Sequence, residues 1–284
     1  MIDALQASWA LFHTTYIAGG LIALLLAVIG VWVVARDQIF LGLAVSQAST
    51  LGIAVALWLG GLGTGALLDW LGTDEVAAGL AVLASVATAL LTARAGGAGR
   101  ESPEAITGWV YLVAASVAVL LVANSPHGLE EVHRLVFSTL LAASTQDLWV
   151  FGALAVVTLA AAARWRSELV LFAMDPEMAA AVGLRTRTWN AAIAIWLGLG
   201  VGLSIRVSGM LYTVGCLVLP ALIAKNLCRE VRPLLAVAPL LALAASLLGF
   251  AFAHVFDLPP AHTTVALLCG GLAFAWGLRR LVIR

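Results

Sequence analysis

Gly19-Gly20-Leu21-Ile22-Ala23-Leu24-Leu25-Leu26-Ala27-Val28-Ile29-Gly30-Val31-Trp32-Val33-Val34-Ala35-Arg36-Asp37 carries no charge until its last two positions. A helix rises about 1.5 Å per residue, so about 20 mostly apolar residues cross roughly 30 Å of hydrocarbon. The run containing this stretch, 15 to 34, is long enough. It must be helical, because hydrocarbon offers backbone amides no partner, and the strict alternation of a membrane barrel is absent. It is too long for the core of a signal peptide, no basic residue precedes it, and it ends at Arg36-Asp37, so it is expected to be retained.

Working outward, eight further runs qualify: 40 to 60, 76 to 94, 106 to 124, 146 to 163, 189 to 206, 209 to 225, 232 to 253 and 261 to 278. Between two of them, Ser204-Ile205-Arg206-Val207-Ser208-Gly209 allows one long broken segment in place of two short spans. The expectation is an all-α polytopic membrane protein, a bundle of eight or nine transmembrane helices forming one domain over 1–284. Composition agrees. Of 284 residues 63% are hydrophobic and 11% charged, with mean hydropathy +1.06, against roughly 45–50% and about 25% in soluble domains. Lys+Arg and Asp+Glu balance at 15 each, so no basic excess marks a nucleic-acid surface. Cys216, Cys228 and Cys269 are unclustered, which suggests neither a disulfide framework nor a thiolate metal site.

With the amino terminus outside, nine spans place Arg36, Arg94, Arg100, Arg164, Arg166, Arg185, Arg187, Lys225, Arg229, Arg232, Arg279, Arg280 and Arg284 on the cytoplasmic side and only Arg134 and Arg206 outside. Basic residues near span ends resist translocation, so this asymmetry sets the orientation, with the carboxyl terminus cytoplasmic. On the outer side, Leu129 to Val136 reads as a short amphipathic helix at the interface, or as a re-entrant lid.

The acidic residues all sit at span ends or in loops, which disfavours a proton- or sodium-coupled transporter with a buried carboxylate. A membrane enzyme is disfavoured as well: His-Glu-x-x-His, Gly-x-Ser-x-Gly and paired buried aspartates are all absent. The spans are rich in small residues, among them Gly19, Gly20, Gly198, Gly200 and Gly202, which let backbones approach closely. Pro220 removes an amide from its span and is a candidate hinge.

The loop from Arg164 to Arg187 is more specific. Asp175 is placed to cap a helix, Pro176 fits its first position, Glu177 favours the positive end of its dipole and Gly183 supplies a left-handed exit. This specifies a helix of about two turns, too short to be stable alone, which needs a protein surface to pack upon. Such a helix can pass force from a partner to the spans it joins, or serve as a solvated connector.

Met174-Asp175-Pro176-Glu177-Met178-Ala179-Ala180-Ala181-Val182-Gly183-Leu184 resembles the Asp-Pro-Glu, Ala-rich, Gly-Leu cytoplasmic segment of the permeases of ATP-binding-cassette importers for zinc, manganese and iron. Three stretches agree in order. Phe40 through Gly52 is similar to that family's second-span signature, Ser208-Gly209-Met210-Leu211 through Pro220-Ala221 to its Gly-Leu-Leu to Leu-x-Pro-Ala segment, and Phe256-Asp257-Leu258-Pro259-Pro260 to the approach to its last span. The resemblance covers nearly the whole chain. It implies a non-enzymatic, multi-pass subunit of a bacterial-type plasma membrane, working as a pair with a second copy or a related permease. A cytoplasmic ATPase would dock on the helix from Pro176 to Val182, with the coupling role falling on Asp175, Pro176, Glu177, Ala180, Gly183 and Leu184. The chain has no Gly-x-x-x-x-Gly-Lys-Ser/Thr loop, so it is expected to bind no cofactor itself, and ATP and Mg belong to that partner. An outer binding protein would deliver the substrate.

The resemblance also places the substrate pathway at Leu43, Ser46, Gln47 and Thr50, where it implies an acidic residue and a histidine as metal ligands. Here those positions are Leu43 and Gln47. Four residues apart, they share a helix face, but leucine cannot coordinate and a neutral amide is a weak ligand for zinc. Three accounts follow. A divalent metal passes with ligands supplied elsewhere, the candidates being His254, Asp257 and His262 on one outer loop or His127, Glu131 and His133 on another; or the cargo is a larger complexed ligand; or a pair partner retains the ligands. A reading from another class is a channel or scaffold without an energy source.

Overall fold

The structure, a computed structural model, describes residues 2–61, 70, 73–95, 102–123, 143–228 and 230–282. Among them are ten helices: α1 (Ile2–Ala35), α2 (Ile39–Gly60), α3 (Asp74–Ala95), α4 (Pro103–Ala123), α5 (Thr145–Arg164), α6 (Arg166–Met174), α7 (Pro176–Ala181), α8 (Thr186–Leu227), α9 (Val231–Phe256) and α10 (Pro260–Val282). Eight of these, all but α6 and α7, are long and apolar enough to cross a membrane. The all-α polytopic architecture expected from hydropathy is the one found. The interfacial helix expected over 129–136, with His127, Glu131, His133 and Arg134, lies outside the described residues.

Two of the nine apolar runs are joined in α8. This 42-residue helix would measure about 63 Å if straight, roughly twice the hydrocarbon thickness. One residue inside it leaves helical backbone: Gly209, at φ 75° and ψ 168°. The serines around it do not break the helix, because Ser204 Oγ donates to Gly200 O at 2.6 Å and Ser208 Oγ to Ser204 O at 2.9 Å, each keeping its hydroxyl within the turn. A positive φ combined with ψ near 168° is open essentially to glycine alone, so the break falls there. Helical lengths of 186–208 and 210–227 flank it, each about one bilayer thick.

The described chain divides into two compact units, one made of 1–38, 139–186 and 211–284, the other of 39–138 and 187–210. In the first unit α1 is the central rod. It is apolar on every side, and Ile22, Leu25, Leu26 and Ile29 are wholly buried. It packs against α5 and α9, and α9 against α10. The second part of α8 meets α1 so closely that a Cβ on Gly30 would run into the carbonyl of Leu217. Tyr212 supplies the polar fastening: its hydroxyl donates to Gly19 O at 3.0 Å and lies 2.9 Å from Ser246 Oγ, while its ring stacks on Phe250. In hydrocarbon such a hydroxyl has no water to fall back on, so two protein partners hold it where one helix must meet two others.

In the second unit α2 packs against α3 and α4. The first part of α8 reaches α3 through Gly198, where a Cβ would meet the Val86 backbone, and Gly202, where it would meet Val82 and Ser85. Ser85 Oγ closes the seam by donating to Gly198 O at 2.7 Å. The outward faces of α4 and α5 expose Trp109, Leu112, Leu120, Trp149 and Val156, as surfaces solvated by lipid would.

Gly30→Ala should cost about 1–3 kcal/mol by overpacking against a backbone that cannot move aside, whereas Gly79→Ala, with nothing within 4 Å of the new methyl, should be silent. Thermal unfolding of the two variants in detergent reads the difference, and an unchanged midpoint for Gly30→Ala contradicts this packing.

Candidate functional site

The loop between α5 and α8 is folded throughout. Asp175, in extended backbone, caps α7: its Oδ1 accepts from the amides of Glu177 at 3.1 Å and Met178 at 2.9 Å, with Pro176 in the first turn. At the other end Gly183 takes φ 94°, its amide donates to Ala180 O, and that of Leu184 donates to Ala179 O, both at 3.0 Å. These are the two bonds of a Schellman ending, which satisfies the last carbonyls and stops the helix. The roles expected of Asp175, Pro176 and Gly183 as start and stop signals are therefore realised in six residues, a turn and a half.

α7 buries little of itself. Ala179 is its buried residue, while Met178 and Val182, one turn apart, are 51% and 69% exposed. These two apolar side chains on one face, open beside Asp175 and Glu177, with exposed Met174 ending the preceding helix, form a surface suited to burial by another protein.

The mount of α7 is α6, a helix that the sequence reading missed. Its signal was present: Leu169, Phe172 and Ala173, spaced three and four apart, are the residues it buries. α6 packs on α1, and the Arg36 guanidinium sits 4.8 Å above the Phe172 ring. Partial burial lowers the pKa of Arg36 from its ordinary value. Nearby, Lys225 Nζ pairs with Asp37 Oδ1 at 2.7 Å, and Arg279 Nη1 donates to Asn226 Oδ1 at 3.2 Å. The Arg36–Phe172 contact sets α6, and with it α7, against the end of α1, while the other two tie the end of α8 to the chain just after α1 and to α10.

The residues expected along the substrate pathway lie near the middle of α2. Ser46 Oγ donates to Gly42 O at 2.8 Å and Thr50 Oγ1 to Ser46 O at 3.1 Å, so both hydroxyls are spent within the helix. Leu43 and Gln47 are half-buried on a shared face. Gln47 Nε2 donates to Met210 Sδ at 3.2 Å, a soft and weak acceptor next to the break at Gly209. Ser49 Oγ is buried and has no hydrogen-bond partner among the described residues. Sequence reasoning could not find the contact between Gln47 and Met210, because 163 positions separate them.

The comparison with family models is decisive at this point: residues 8–276 match the model described as the ABC 3 transport family. The chain belongs to the ABC 3 transport family. Among its relatives are the manganese transport system membrane protein MntC of Halalkalibacterium halodurans, 22% identical over 88% of this chain and 81% of that protein, and the chelated iron transport system membrane protein YfeD of Yersinia pestis, 25% identical over 78% and 70%. Among solved structures, PsaBC from Streptococcus pneumoniae in complex with Fab matches 97% of this chain and 95% of that chain with a TM-score of 0.79 at 16% identity, a likeness of fold. The chain is thus a multi-pass membrane permease of a family of metal transporters.

Within that ABC 3 fold two expected placements are corrected. His254, Asp257 and His262 do not form a metal site, since among the described residues no three His, Cys, Asp or Glu side chains gather. Asp257 is an exposed left-handed cap (φ 55°, ψ 41°) whose amide donates to Ala253 O; it ends α9, and Pro260 then opens α10, so the three are distributed over a turn and two helices. Pro220, the candidate hinge, lies buried inside helical backbone, and the break in α8 is at Gly209.

Asp175→Ala removes both side-chain acceptors and should weaken α7 by about 1 kcal/mol. Hydrogen exchange at the Glu177 and Met178 amides should then quicken about fivefold, with exchange in α1 unchanged. Equal protection in the variant would show that the cap does not hold this helix.

Proposed function

We propose that this chain is the membrane-spanning subunit of an ATP-driven importer for a divalent metal ion, with manganese and iron first among the candidates, as the relatives' names suggest, and zinc next. The observation that carries the proposal is α7: a doubly capped helix with an exposed apolar face, mounted on the ends of the spans. It is the kind of part a bundle without a nucleotide site needs in order to be driven from outside. A partner ATPase binds ATP and Mg, and its closure moves α7, opening one end of the pathway as the other shuts. A second permease copy or a related permease completes the route, and a binding protein loads it from outside. A route through protein is required because a divalent ion stripped of water in hydrocarbon would cost tens of kcal/mol.

The orientation follows from charge. With the amino terminus outside and α8 crossing twice about Gly209, Arg36, Arg94, Arg164, Arg166, Arg185, Arg187, Lys225, Arg232, Arg279 and Arg280 share the cytoplasmic side. This puts α7 in reach of a cytoplasmic ATPase.

One observation favours a second reading of the cargo. Gln47 offers a neutral amide engaged by a thioether, beside Leu43, which has no donor atom. Such a lining suits a metal that keeps its own ligands better than one needing protein ligands.

Replacing Asp175-Pro176-Glu177 with Gly-Gly-Gly should abolish ATPase association and ATP-dependent uptake into vesicles; unchanged association and unchanged uptake would remove the coupling role and leave α7 a passive connector. In the same vesicles, uptake of a chelated metal undiminished by excess free zinc, manganese or iron is expected for the complexed cargo, and competition by one free ion for the bare one.

A further inference from the structure

In the unit built from 1–38, 139–186 and 211–284, a cleft of about 790 Å³ opens at the end that carries α6. Its floor is apolar: Ala35, Leu227, Val231, Leu234, Ala275 and Leu278. Its rim is charged, with Lys225, Glu230 and Arg279 lining it beside Asn226. Lys225 is already paired with Asp37, which leaves one cation and one carboxylate in the lining without an ion-pair partner among the described residues. Arg279 uses one N–H on Asn226 and has further donors in its five-pronged fork.

We propose that this cleft holds the headgroup of a zwitterionic aminophospholipid, phosphatidylethanolamine, with its phosphate on Arg279 and its ammonium on Glu230. Charge complementarity selects the headgroup. A phosphate with a primary amine satisfies both open charges; an anionic headgroup leaves Glu230 facing a like charge, and a quaternary amine has no N–H to give it. Continuity of the apolar surface selects a lipid over a soluble zwitterion. Leu278 lines the cleft and is exposed, and Phe274, one turn earlier on α10, is exposed beyond it, so an apolar strip leads from the floor along the open side of α10, where acyl chains would lie. The occupant would sit against the ends of α1, α8, α9 and α10 and against Met174, which precedes the Asp175 cap.

The test is lipid retention by the purified full-length chain, read by native mass spectrometry after reconstitution in nanodiscs with equal parts phosphatidylethanolamine, phosphatidylcholine and phosphatidylglycerol. This readout does not depend on transport. Phosphatidylethanolamine should be enriched about tenfold over phosphatidylcholine, the factor expected of one charge-assisted hydrogen bond. Glu230→Gln should erase the enrichment over phosphatidylcholine and move the preference to phosphatidylglycerol, and Arg279→Gln should lower retention of all three lipids. Equal retention of the three lipids, or a preference that survives both substitutions, overturns the proposal. Cys228 in the cleft wall gives a second reading that needs no destabilising variant. In a Cys269→Ala background, maleimide labelling of Cys228 should slow in phosphatidylethanolamine discs relative to phosphatidylcholine discs. Protection only by an added ATPase subunit would assign the cleft to a protein partner and overturn the lipid.

Discussion

Hydrocarbon offers a polypeptide no hydrogen-bond partner, and the architecture of this permease follows from that constraint. Every amide within the spans must be satisfied by its own helix, so the chain is a set of rods and the described residues contain no strand. The same scarcity governs side chains. Ser46, Thr50, Thr158, Ser204 and Ser208 return their hydroxyls to the preceding turn, while Ser85 and Tyr212 reach a carbonyl on another helix. Those that reach across identify the seams: α3 with the first part of α8, and α1 with the second part of α8 and α9.

Helices do not associate in a bilayer to escape lipid, since lipid tails are as apolar as leucine. They associate where backbones can come close, which is why Gly30, Gly198, Gly202 and Gly249 stand where a methyl group would strike a neighbouring helix. α1 has no preferred face because it is surrounded; α4 and α5 leave bulky apolar residues exposed, as helices facing lipid would. α6 buries Leu169, Phe172 and Ala173 and lies over the end of α1, where Arg36 sits on the Phe172 ring, and α7 follows directly from it.

The stretch of α2 from Leu43 to Thr50 shows which polar groups such an interior carries. Its side chains there are neutral, and Gln47 donates to Met210 beside the break at Gly209. The break in α8 and Gln47 of α2 are therefore joined through the residue next to Gly209.

How far the sequence reached depended on the range of the physics. Spans were legible because hydropathy is summed over a local window, and α7 because a cap, a proline and a glycine act within a few residues of one another. α6 was legible in principle, through Leu169, Phe172 and Ala173, but in the sequence its nine residues merge with a polar loop. Other features were decided only by tertiary structure. Whether 189–206 and 209–225 are separate rods depends on the backbone of Gly209, which neighbouring serines leave undetermined. Whether His254, Asp257 and His262 converge depends on where two helices point after a left-handed turn, and they do not converge. The partner of Gln47 is 163 residues away, and no local pattern encodes a contact made by packing. The sequence by itself determined that the chain crosses the membrane many times and carries a capped handle between two spans; which spans touch, and what their touching polar groups leave for a cargo, only the packed structure could decide, because those outcomes depend on distances between residues remote in sequence.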